Sequence, residues 1–421
     1  MNDAAARTMD RRLFVKLAGA GAGAAVAGSL VTAGAASAAD STPLDVAVIV
    51  PSGSRYANMD DNLLAGLRHG FDRAHLGRGA VDATIVHQSI VGGYRGALAT
   101  AAALLDDGHD VVVAAVSAPV AARLAPLFEE RRKPLIVANV GAHVVLPSAR
   151  SPYVLHNSLL YWQACFLSGQ YAGKSGGLNR KAFVATAQAD AGYDTVYAFR
   201  RGFESAGGTM VGEGVSHVDP RSSGLPALFD QVRESGADVV FGLYSGAHAV
   251  EFMHASAGTS AQLLVGSLAV EDYLLPTIGN AAIGTVSSSS WTLTRKTKAN
   301  QAFTSSFATK FGRTADPFAA LGYDTALLIV EGVRRSSRVG IGGLVGALGG
   351  ATIDGPRGRL TVDAATNTVT ARLAVRSVGR SARGPVNLDL GMAQPIATFP
   401  DALAALATDP RSGYVNEYLC A

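Results

Sequence analysis

Residues 110–140 read DVVVAAVSAPVAARLAPLFEERRKPLIVANV, and the order of patterns within them decides the fold. Asp110 to Val116 is a short β-branched, apolar run that predicts a buried strand. Ser117-Ala118-Pro119 ends it and opens a helix over Ala118 to Phe128. Leu135 to Ala138 is a second buried strand. Strand, helix and strand in this order indicate a parallel sheet covered on both faces.

The same unit extends in both directions. Upstream, Leu44 to Val50 (LDVAVIV) and Ala83 to Gln88 read as strands, and Gly96 to Leu105 as a helix. Asp61 to Ala74 is a helix with Leu63, Leu64, Leu67 and Phe71 on one face. Downstream the pattern restarts. Strands are expected at Lys181–Thr186, Val211–Val215, Asp238–Leu243 and Leu263–Gly266. Helices are expected at Asp194–Ser205, Leu225–Ser235 and Ala247–Ala257. A long helix over Phe318 to Val333 follows, then alternating segments Arg359–Val362 and Val369–Val378 that read as hairpin strands. No low-complexity linker divides the two units, which favours lobes joined by several crossings.

At 421 residues the chain is too long for one hydrophobic core, and two lobes are expected. Formal charge is +3, with acidic and basic residues interspersed, so nothing attracts nucleic acid. Near the start, Arg11-Arg12 precedes a mild Ala/Gly run from Leu17 to Ala35 and the small-x-small triplet Ala36-Ser37-Ala38. That layout reads as a twin-arginine export signal over residues 1–38, removed on export. The apolar run is too short and glycine-rich to anchor stably in a bilayer. The mature chain is then expected to work in the periplasm or elsewhere outside the cytoplasm, unattached to membrane. An oxidising compartment permits a disulfide between Cys165 and Cys420, but sequence alone does not place the two within bonding distance.

Signatures of catalysis and metal binding are absent. The chain has no GxSxG, HExxH, P-loop or EF-hand pattern, and neither cysteine has a partner at zinc-ligand spacing. Gly340, Gly342 and Gly346 read as a loop entering a short helix rather than a dinucleotide fingerprint. His69, His75, His87 and His109 show no metal-ligand spacing. No cofactor and no enzymatic activity are expected. What remains are loops at the C-terminal ends of strands, where open parallel sheets bind ligands. Four stand out: Val50–Ser54, Ser117–Pro119, Asn139–His143 and Tyr244–Ala247. Ser117 reads equally as a ligand hydroxyl or a plain helix N-cap. Tyr244 reads as an aromatic wall with a polar tip, or as packing at a lobe edge.

These segments resemble a known family. VAVIVPSG before a helix containing Gly66, the 110–140 stretch, FVATAQADAGYDTVYAFRRGFESAGG, DVVFGLYSGAHAVEFMHASAG and FAALGYDTALLIVEGV follow in the order seen in type I periplasmic binding proteins. The leucine/isoleucine/valine-binding proteins of ABC transporters are nearest in layout, over about Leu44 to Val378. The resemblance implies two doubly wound parallel-sheet α/β lobes joined by three crossovers, with a hinged ligand cleft. It places lobe 1 at 44–155 plus about 289–350, lobe 2 at 156–288 plus about 351–395, and a C-terminal extension at 396–421. It also implies a monomer that captures a small molecule and delivers it to an ABC permease. An exported sensor presenting the same solute to a regulatory partner would use the same cleft.

Carried over by position, the resemblance puts the carboxylate-holding serine at Ser117 and the cleft tyrosine at Tyr244. The alanine–threonine pair falls on Gly141 and Ala142, without the threonine hydroxyl. The acid that meets a ligand ammonium falls on Leu268, with Glu271 and Asp272 just beyond. The crossover helix offers Tyr161 and Trp162, and Leu160 stands where an aspartate is usual. A ligand less charged than an amino acid, and aromatic, is the expectation.

Overall fold

The computed structural model describes residues 42–52, 56, 58–74, 81–190, 192–337 and 339–413. Residues 1–38, Gly53, Ser54 and Cys420, on which expectations were placed, lie outside them. The first lobe begins with β1 (Thr42–Pro51), α1 (Met59–Ala74), β2 (Val81–Ile90), α2 (Gly93–Asp106), β3 (Val111–Ala114), α3 (Ala118–Arg131), β4 (Leu135–Asn139) and β5 (Val154–Ser158). The second is built from α4 (Tyr161–Lys174), β6 (Lys181–Ala187), α5 (Tyr193–Ser205), β7 (Thr209–Ser216), α6 (Leu225–Ser235), β8 (Val239–Leu243), α7 (Gly246–Ala255), β9 (Gln262–Val265), α8 (Leu275–Ile278) and β10 (Val286–Ser289). The chain then returns through α9 (Lys298–Phe311), α10 (Pro317–Ser336), α11 (Leu344–Ala347), β11 (Thr352–Gly355), β12 (Gly358–Asp363) and β13 (Thr368–Ala371). It finishes with β14 (Leu373–Ser381), β15 (Gly384–Ala393) and α12 (Pro400–Thr408).

Two sheets result, in the orders β11-β12-β13-β5-β4-β3-β1-β2 and β15-β14-β10-β9-β8-β6-β7. Strands β5 to β2 of the first and β10 to β7 of the second are parallel, and their central members are wholly buried. Three connections cross between the lobes: β5 to α4, β10 to α9, and β13 to β14.

The third crossing corrects two expectations. The resemblance places residues from about 351 in lobe 2, yet β11–β13 join the first sheet, through Thr368 beside His156. Val369–Val378, read as one strand, is broken at Arg372, with β13 in one sheet and β14 in the other. Alternation reports which residues are buried, and it runs across Arg372 from Val369 to Leu373; it does not report which sheet buries them. Buried Arg357 pins the hairpin to the first lobe by pairing with Asp324 of α10 at 2.6 Å and donating to Asn157 of β5.

Each lobe closes a helix pair through glycines. A Cβ on Gly66 would lie 2.0 Å from Ala319 O, and one on Gly322 2.1 Å from Leu63 O, so α1 and α10 touch backbone to backbone. Gly169 and Gly202 do the same for α4 and α5.

Candidate ligand-binding site

The C-terminal ends of the parallel strands carry the expected site residues. Ser117 follows β3 and occupies the N-cap position of α3, but its hydroxyl makes no capping bond. The residue is 5% exposed and Oγ has no hydrogen-bond partner. Of its two readings, the plain cap is therefore not the one realised. Asn139, at the end of β4, braces this turn by donating from Nδ2 to Val116 O at 2.7 Å. Gly141 follows with φ +75°, and a Cβ there would sit 2.5 Å from Ser158 Oγ, so the turn requires glycine. Ala142 is half-buried against the main core.

The first crossing brings α4 onto this loop. Tyr161 N donates to Val140 O at 3.0 Å and Trp162 N to Gly141 O at 2.8 Å. These two amides head a helix and lack intrahelical acceptors, so the loop carbonyls satisfy them. The Tyr161 hydroxyl rests over Gly266, where a Cβ would lie 2.0 Å from it, beside the end of β9. Trp162 is fully buried and stacked on Phe166 with centroids 6.1 Å apart, and its Nε1 has no partner. Leu268 lies in the turn after β9 and is buried in the same core as Leu160, Tyr161 and Trp162.

Two expected residues have fixed partners. Tyr244, 1% exposed, stacks on Phe252 at 4.1 Å and shares a hydrogen bond with Ser216 Oγ at 2.9 Å. Burial pushes its hydroxyl pKa upward. Ser216 in turn bonds His217 Nδ1, and His217 Nε2 meets Glu251 at 3.0 Å. The polar tip of Tyr244 thus meets Ser216 of the second lobe. Glu271, 1% exposed, is gripped by Arg376 through Nη2–Oε1 at 2.8 Å and Nη1–Oε2 at 3.3 Å. Burial pushes the Glu271 carboxyl up to about 7 against the pull of Arg376. Arg376 also donates to Ser287 Oγ and Ser267 O, so the pair is locked in place.

Sequence reasoning missed Tyr273 and Arg376. The Tyr273 hydroxyl is buried without a hydrogen-bond partner, and it feels Tyr56 and Asp316 of lobe 1 as well as Glu271 and Asp190 of lobe 2. Its signal was available, since it directly follows Glu271-Asp272 in the same loop. Arg376 lies on an alternating strand, and nothing in the sequence pairs it with position 271. Ser117 Oγ, Trp162 Nε1 and the Tyr273 hydroxyl are thus buried polar atoms without protein partners, all on segments following strand ends. Such atoms are costly unless a ligand or water meets them. Hydroxyls and an indole N–H of this kind can each meet a carboxylate or hydroxyl oxygen. No group of three or more His, Cys, Asp or Glu able to hold a metal exists among the described residues. Cys165 is buried and unbonded.

Residues 43–383 match the family described as Periplasmic binding protein. The chain belongs to that family. Its fold is the two-lobed type I form. Solved structures agree in fold. A solute-binding protein of an ABC transporter from Rhodopseudomonas palustris BisB5, in complex with 3,4-dihydroxybenzoic acid, is 20% identical with TM-score 0.74, covering 84% of this chain and 98% of that one. Another, from Rhodopseudomonas palustris HaA2 with p-hydroxybenzoic acid, is 22% identical with TM-score 0.74, over 84% and 97%. A leucine-, isoleucine-, valine-, threonine- and alanine-binding protein from Brucella ovis is 16% identical with TM-score 0.72, over 84% and 96%. No curated protein matches the sequence. No helix among the described residues of this periplasmic binding protein is long and apolar enough to cross a membrane.

Proposed function

We propose that this protein captures a small aromatic carboxylic acid of the hydroxybenzoate class between its lobes and delivers it to an ABC permease. The observation that carries the reading is the engagement of both Glu271 oxygens by Arg376. An amino-acid zwitterion needs a buried acid for its ammonium, because an unpaired buried charge is costly. Leu268 stands where that acid is expected, and Glu271, the nearest alternative, already has a partner. Ser117 and backbone amides near Gly141 would receive the carboxylate, with the Tyr273 hydroxyl and Trp162 Nε1 available to a ring substituent. Tyr161, Trp162 and Leu268 would supply the apolar walls. The two Rhodopseudomonas proteins that hold hydroxybenzoates on the same fold lend support.

Calorimetric titration tests it: p-hydroxybenzoate should bind at micromolar or lower Kd and leucine should not. Ser117→Ala should weaken the aromatic acid by about 0.5–3 kcal/mol. Micromolar leucine binding, abolished by Glu271→Gln, would make this an amino-acid carrier instead. The same reading has residues 1–38 export the chain by the twin-arginine route. The secreted product should begin near Ala39 by mass spectrometry, and replacing Arg11 and Arg12 with lysine should stop export.

A further inference from the structure

The segment after β15 returns across the gap between the lobes. Helix α12 lies on the second lobe, where Ala402 and Leu406 are buried and Asp401 pairs with Arg201 of α5. The Phe399 ring meets Phe166 of α4 at 5.3 Å. Beyond α12, the Arg411 guanidinium stands 4.1 Å from the ring centroid of Tyr193, the first residue of α5, and Asp409 holds it there at 2.7 Å. Gly413 N donates to Asp194 Oδ1 at 3.3 Å, and Asp194 is only 3% exposed.

The same segment meets the first lobe. Ile396, Thr398 and Leu403 line a cavity of about 170 Å³ together with His143, Val144 and His156. A side chain on Gly413 would come within 3.5 Å of Pro119 Cγ, two residues after Ser117. His143, in the loop after β4, acts electrostatically on Asp194. Pro119 and Tyr193 both stand in the first turns of helices that follow strand C-terminal ends, one in each lobe. The segment therefore lies where the two ligand-facing ends approach.

We propose that residues 396–413 form a strap, fastened to α4 and α5 and resting on α3, that limits separation of the lobes and slows both uptake and release of ligand. Each contact is weak alone, and an exposed pair such as Asp409–Arg411 contributes little to stability. Linked in one segment, they act at high effective concentration. Hinge opening must peel the strap from one lobe.

The kinetic part rests on the binding function proposed above; the geometric part does not. Two variants of the protein serve the test: Arg411→Ala, at an exposed position, and a chain ending at Thr408. Spin labels at Asp107→Cys in the first lobe and Glu234→Cys in the second, both exposed, report the interlobe distance without ligand. A Cys420→Ser background and the burial of Cys165 keep the labelling specific. The shortened chain should show longer and broader distances, with Arg411→Ala between it and the parent. Association and dissociation rates of p-hydroxybenzoate should rise together, by roughly three- to tenfold in the shortened chain, which is about 0.7–1.4 kcal/mol. Unchanged distances in both variants overturn the strap, whatever the rates do. If the parent fails to bind p-hydroxybenzoate, the ligand assignment falls while the distances still decide the strap.

Discussion

Tyr244 packs face to face on Phe252 and reaches Ser216, so its ring belongs to the second-lobe core. Tyr244→Ala should therefore cost stability, about 3–5 kcal/mol as for other buried aromatics, read from the denaturant midpoint. Tyr244→Phe keeps the stack and removes one hydrogen bond, for about 0.5–1.5 kcal/mol. An Ala variant as stable as the parent would show that the stack contributes nothing. His156 makes a separate prediction. Burial alone lowers its pKa from 6.5 to about 4. In the unfolded chain the ring takes a proton as pH falls below 6.5, while the folded chain refuses it until about 4. The stability tied to neutral His156 is thus present above pH 6.5 and lost as pH falls through that window, by about 3 kcal/mol. Buried Asp316, Asp324 and Glu271, with raised pKa values, pull the opposite way. The difference between parent and His156→Leu across pH 4–7 isolates the histidine, and parallel stability curves would refute its role. The position of Ser117 at the turn after a parallel strand was legible from the run Asp110–Val116 and the Ser-Ala-Pro that ends it. The tie between Glu271 and Arg376 was not, because 105 residues separate the two.

Among the elements, paired glycines let one helix pair in each lobe pack backbone to backbone. Backbone contact across α1–α10 and α4–α5 needs Gly66 and Gly322 in one lobe, Gly169 and Gly202 in the other. A methyl group at Gly202 would lie 2.1 Å from Phe166 O, and backbone cannot yield as a side chain can. Gly202→Ala should force α4 and α5 apart at about 1–3 kcal/mol, lowering the thermal midpoint. An unchanged midpoint would mean that the helices slide freely. The long periodic helices and buried strands were predictable because one environment governs each. The β13–β14 step was not, because the break at Arg372 moves the chain between sheets while burial keeps alternating from Val369 to Leu373.

In the whole molecule the two sheets are joined by three crossings, and the buried pair Glu271–Arg376 sits beside the second of them, at the turn after β9 and on β14. Arg376 is fully buried, so taking the charge from its partner removes the carboxylate that both its terminal nitrogens reach and leaves Asp272 to balance it from further off. Glu271→Gln should cost about 3–5 kcal/mol of stability for that reason, with or without ligand. The affinity of the folded fraction for p-hydroxybenzoate should stay within a few-fold of the parent, the outcome expected if Glu271 serves the fold. Ligand at about 100 times its Kd should raise the stability of parent and variant alike by about 2.7 kcal/mol, visible as a higher thermal midpoint. Leucine at the same concentration should raise neither. Were Glu271 instead a ligand contact, the variant would keep its stability and lose its response to leucine. That pairing of outcomes separates a structural ion pair from a recognition one.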